Sequence, residues 1–168
     1  MENTLKLLDQ TVEDCDVVAT CHYIQAEDDR RNLVRFGLPS LIINVLVSSV
    51  LVADLGKIVP DPMKWVTAIL ALVSAFLVGV QTFFGFPEKE RGHRDLGNKF
   101  NRISRLLARL KASWQDKSIP DNEFAKGFAS VMEEYEEVCR ANEATPPSRE
   151  VALRVKGDGE LPPARPGP

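Results

Sequence analysis

The sequence predicts an all-α membrane protein: a two-transmembrane helical hairpin with cytoplasmic heptad-patterned helices. Three observations lead there. Two long runs in the middle of the chain carry no charged side chain. The long segments on either side repeat their apolar residues at steps of three and four. Arginine and lysine crowd the outer flanks of the two runs and are sparse between them.

Residues 1–35 read as a cytoplasmic N-terminal helix. Leu5, Leu8, Val12, Cys15, Ala19, His22, Ala26 and Leu33 step by three and four, with a gap at Asp29. That spacing keeps one apolar seam on one side of a helix. Asp14, Asp16, Asp28 and Asp29 read as a solvated face rather than a cation site.

Residues 36–59 form the first transmembrane helix. Phe36 to Ala53 is FGLPSLIINVLVSSVLVA, without one charge, and the run reaches bilayer length when it extends past Asp54 to Val59. A helix rises about 1.5 Å per residue, so roughly 20 residues cross a hydrocarbon core of about 30 Å. Pro39 marks a kink or the first turn of the span. Ser40, Asn44 and Ser48 recur every four residues on one face. Small and polar faces are where helices meet in lipid.

Residues 60–64 make a short outer loop. Pro60 and Pro62 cannot continue a helix. Residues 65–86 form the second transmembrane helix, WVTAILALVSAFLVGVQTFFGF, again uncharged. Its stripe is Thr67, Ala71, Ser74, Val78, Gln81 and Gly85. The two stripes fit helix packing better than a water-lined path. Ser40, Asn44, Ser48, Ser74 and Gln81 are therefore the candidates for a helix contact or a pore lining. Trp65, Phe83, Phe84 and Phe86 are boundary anchors.

Residues 88–115 read as a basic cytoplasmic helix leaving the membrane at Phe86-Pro87. Leu96, Phe100, Ile103, Leu107, Leu110 and Trp114 step 4, 3, 4, 3, 4, the most regular seam in the chain. Leu96, Phe100, Ile103 and Leu107 form the candidate assembly seam. Residues 121–142 read as an acidic cytoplasmic helix with Asp121 as N-cap. Phe124, Phe128, Val131, Tyr135 and Val138 supply its seam. Residues 144–168 contain six prolines and read as a disordered Pro-rich tail, Val151 to Val155 being its one candidate for local order.

Charge is arranged in blocks. Residues 1–35 carry −4, residues 88–117 carry +5 and residues 121–143 carry −5, within a net −3. A basic helix between acidic ones suggests that these helices pair with one another. A net-basic nucleic-acid surface is not expected, so no nucleic-acid partner is assigned. The flanking charge places both termini in the cytoplasm and the hairpin tip outside. The acidic start of the chain does not read as a cleaved signal peptide. Cys15, Cys21 and Cys139 read as reduced thiols in cytoplasmic segments.

No catalytic or cofactor signature is present: no Gly-rich phosphate loop, nucleophile elbow or HExxH. No enzyme activity, metal or cofactor is expected. Cys15 and His22 lie on the seam and read as core packing, and His93 as a satisfied seam histidine.

The order of a cytoplasmic helix, two spans with a short outer loop and a long basic helix, together with the stretch GHRDLGNKFNRISRLLARL around His93 and Phe100, resembles the SLATT domain family. These are bacterial two-transmembrane effectors associated with nucleotide-signalling and other conflict systems. The resemblance covers about Asp9 to Cys139. It implies a pore-forming homo-oligomer of the bacterial inner membrane in antiviral defence, with membrane lipid and a sensor or nucleotide-synthetase encoded nearby as partners. Two alternatives remain: a membrane scaffold recruiting a cytoplasmic partner by coiled coil, and a holin-like lysis protein.

Overall fold

The structure is a computed structural model that describes residues 2–55 and 60–156. Five helices form among the described residues: α1 (Glu2–Leu55), α2 (Asp61–Phe84), α3 (Phe86–Gln115), α4 (Asp121–Ala144) and α5 (Arg149–Lys156). The expected end of the first apolar run, at 56–59, and residues 157–168 of the expected disordered tail lie outside the described residues. The chain divides into two compact units. One joins α1 up to Ala26 with the chain from Arg91 onward, and the other is Glu27–Glu90.

The first unit is a bundle of α1, α3 and α4, closed by the three heptad seams. Its core contains Leu8, Cys15 and Ala19 from α1, Leu96, Phe100, Ile103 and Leu107 from α3, and Phe124 and Val138 from α4. Leu5, Val12, Leu110, Trp114, Phe128, Val131 and Tyr135 pack around them. The seams therefore close within one chain. Leu96, Phe100, Ile103 and Leu107, expected to hold an assembly, are at most 6% exposed and are used up in this core. Burying a large apolar side chain contributes about 1.5–3 kcal/mol, enough for this set to determine the bundle. Rings interlock along it: Trp114 with Phe124 at 5.3 Å and Phe100 edge-on to Tyr135 at 6.4 Å.

Pairings between α1 and α3 run in opposite directions. Lys111 of α3 bonds Asp9 near the start of α1, whereas Asn98 accepts from the Tyr23 hydroxyl at 2.9 Å. The α3–α4 turn reverses through Lys117, which has positive φ. Pro120, not Asp121, occupies the N-cap of α4. The Asp121 carboxylate instead accepts from the Trp114 indole N–H at 2.8 Å. The cap position falls one residue earlier than expected, so Asp121 sits in the first turn and its carboxylate serves the indole.

Part of the expected Pro-rich disorder is a helix. In α5, Val151 and Ala152 are buried with Cys21 and pack against Val17 and Ile24 of α1. Ser148 N–H donates to Gln25 Oε1 at 3.1 Å, anchoring the entry to α5. Two buried apolar residues and one anchoring bond order an eight-residue segment that propensity alone would leave unformed.

The second unit is an antiparallel hairpin of the C-terminal part of α1 and α2. α1 continues through Pro39. There the proline removes one N–H and crowds the carbonyl four residues earlier, and the helix continues despite both. α2 begins at Asp61, inside the expected loop, because Pro60 serves as N-cap and Pro62 falls in the first turn, where the missing N–H has no helical acceptor. The break after α2 falls at Gly85 rather than at Phe86-Pro87. Gly85 adopts φ 57° and ψ 38°, and its N–H donates to Gln81 O at 3.1 Å. Any side chain there would strain the left-handed turn. Asp29, expected on a solvated face, is buried: it keeps the 4-3-4 register of His22, Ala26 and Leu33.

The described residues include two helices long and apolar enough to cross a membrane, and only 6% and 11% of their most apolar stretches are buried. The large side chains point outward: Leu41 is 62% exposed, Leu72 72% and Phe76 70%.

Candidate functional sites in the hairpin and the bundle

Part of the hairpin's polar stripe lies between its helices, while Asn44, Ser48, Ser49 and Thr82 stay exposed. Ser40 and Ser74 are almost fully buried where the helices touch. Ser74 Oγ–H donates to Asn44 Oδ1 at 2.7 Å, and the Ser40 and Ser74 hydroxyls meet at 3.4 Å. Gln81 Nε2 donates to Leu33 O at 3.3 Å. Gly37 makes the last contact feasible: a Cβ there would lie 2.5 Å from Gln81 Nε2. Thr67, Thr82 and Ser49 return their hydroxyl protons to carbonyls four residues earlier. These bonds satisfy polar groups without water, which an apolar surrounding demands.

Of the five polar residues singled out in the sequence, Ser40, Asn44 and Ser74 form one hydrogen-bonded cluster and Gln81 binds farther along the same seam. Ser48 does not join them. It is exposed and lines, with Gly37, Ser40, Asn44 and Gln81, a groove of about 900 Å³ on the side of α1. At the proline end of the seam, Thr67 is also buried. At the opposite end the rings of Phe36 and Phe86 stack at 6.0 Å.

The bundle holds a second polar arrangement, which sequence reasoning missed. His22 of α1 and His93 of α3 are buried and face each other, Nδ1 to Nδ1, at 2.9 Å. His22 Nε2 lies 2.8 Å from Asn142 Oδ1 on α4. The amide oxygen only accepts, so His22 carries its proton on Nε2 and its Nδ1 accepts from His93 Nδ1–H. One ring relay thus joins all three helices, and Phe100 stacks on His22 at 6.1 Å. Burial holds His22 below its ordinary value, assisted by the neighbouring His93 and opposed by the bond to Asn142. The register was available in the sequence. His22 continues the α1 seam, and His93 precedes Leu96 by three, at the matching level of an antiparallel partner.

The thiols are not paired as a disulfide. Cys15 is buried, and burial pushes it up to about 12, so it stays protonated. Tyr135 is pushed upward by burial and by its contact with Cys139. Among the described residues no three His, Cys, Asp or Glu side chains are placed to hold a metal ion. Comparison with family models, curated proteins and solved structures finds no match to this chain.

Proposed function

We propose that the protein is a non-enzymatic, two-span membrane effector that oligomerises into a pore, as its resemblance to the SLATT family implies. Its site would be the bacterial inner membrane, with both termini cytoplasmic and its role in antiviral defence. The observation that carries the reading is the inverted hairpin. Bulky apolar side chains face outward, while Ser40 and Ser74 are buried between the helices and Asn44 and Gln81 bond to the facing helix. That distribution suits a hydrocarbon solvent. Trigger and partner would come from a sensor or nucleotide-synthetase encoded nearby.

The test is membrane potential in bacteria, followed with a potential-sensitive dye on induced expression. Rapid depolarisation is expected, abolished by Phe100→Asp, which places a charge in the bundle core. Polarised membranes under strong expression, also with the neighbouring genes present, would refute the pore. A scaffold reading has its own support: the stripe residues already satisfy one another inside one hairpin and need no water path. It predicts that Asn44→Leu with Gln81→Leu preserves activity, whereas the pore reading predicts lost leakage if these residues line the path.

A further inference from the structure

The seams of the bundle close within one chain, which leaves the contacts of any assembly to its outer surface. α3 carries five exposed arginines on that surface: Arg91, Arg94, Arg102, Arg105 and Arg109. With Asn98 they step 3, 4, 4, 3, 4. At 3.6 residues per turn they fall within an arc of about 80°, opposite the buried face of His93, Leu96, Phe100, Ile103 and Leu107. Inside the chain this row is matched in part, Arg94 and Arg102 each having a partner. Arg102 reaches Glu134 at 3.5 Å. Among the described residues Arg91, Arg105 and Arg109 make no ion pair.

α4 is the complement. Glu133, Glu136 and Glu137 are exposed on the face opposite Phe128, Val131 and Tyr135. Glu133, Glu134 and Glu137 line a shallow groove with Arg140. Both charged faces look away from the same core, and within one copy they touch along their shared edge, at Arg102 and Glu134.

We infer that the arginine face of α3 in one copy docks on the acidic face of α4 in the next. A guanidinium presents a planar fork that matches a carboxylate, and a row of such pairs gives register and partner choice even where single pairs contribute little. The contact joins two different patches, so each copy keeps one of each free for another neighbour. Such a contact closes into a ring or runs on as a chain. The choice of a ring rests on the membrane reading, because copies inserted with one orientation share the membrane normal as their only rotation axis.

The experiment measures the size of the purified full chain in zwitterionic detergent without lipid, by sedimentation. Two charge-reversed proteins are compared with it: Arg105→Glu/Arg109→Glu and Glu133→Arg/Glu137→Arg. All substitutions are on exposed positions, and helical content and melting confirm that the bundle is kept. The native chain is expected to be oligomeric at about 0.05 M salt and to weaken about tenfold or more at about 0.5 M, as screened charge contacts do. Each variant alone is expected to be monomeric, and an equal mixture of the two to regain the oligomer. A native monomer at both salts, variants that assemble like the native chain, or a mixture that stays monomeric would overturn the docking. Arginine-dependent binding of a native monomer to vesicles rich in anionic lipid would also overturn it and give the stripe to headgroups. Depolarisation is read separately in cells. Oligomers by another contact with leakage would leave the pore reading standing, and a restored oligomer without leakage would leave the docking standing.

Discussion

His22 and His93 spend a buried position on polarity, and the relay to Asn142 compensates for it. The folded bundle favours neutral His22, whose ordinary value is 6.5. Above 6.5 both folded and unfolded chains hold it neutral, and its share of stability is complete. Below 6.5 the unfolded chain takes up a proton that the folded chain resists, so stability falls as pH drops. Thermal melting of the native protein should therefore decline from pH 7 to pH 5, and His22→Gln should flatten that decline. An unchanged slope in the variant would remove His22 as its cause. Phe100 is 1% exposed in the same layer and stacks on His22. Phe100→Ala should cost about 3–5 kcal/mol in denaturant unfolding, as large core truncations do.

At the scale of elements, helix type and seam register were legible because period 3.5 to 3.6 survives in Leu96–Trp114 and Phe124–Val138 without tertiary information. The inward turn of Ser40, Ser74 and Gln81 was legible as a stripe for the same reason. Element ends were less so. The cap of α4 fell on Pro120 rather than Asp121, Gly85 rather than Pro87 broke the helix, and Pro60 and Pro62 opened α2 rather than filling a loop. Each depends on a neighbour or a backbone angle that composition does not show. α5 is the largest departure. Its order comes from Val151 and Ala152 meeting Cys21, a contact across more than a hundred residues. Removing residues 146–168 should uncover Cys21. Maleimide should then label the truncated protein under native conditions at a rate well above the full chain, and equal rates would show that α5 gives no protection.

For the whole molecule, the charge blocks of the sequence have two destinations. Some charges join the helices of one bundle, as Lys111 with Asp9 and Arg102 with Glu134. Arg91, Arg105 and Arg109 are exposed and make no ion pair among the described residues, and in the proposed docking they serve association rather than folding. The hairpin follows another rule: its large apolar side chains are outside, and Ser40, Thr67 and Ser74 are buried at its seam. In the proposed setting these two surfaces face two solvents, lipid around the hairpin and cytoplasm around the bundle. The most direct measurement is the labelling of bacterial spheroplasts that express Lys64→Cys, with a membrane-impermeant maleimide. Lys64 lies at the hairpin tip, next to Trp65. The account predicts that Lys64→Cys is labelled in intact spheroplasts, whereas the native protein, and Arg109→Cys, are labelled only after permeabilisation. Lys64→Cys that reacts only after permeabilisation, or a protein recovered in the soluble fraction, would contradict it.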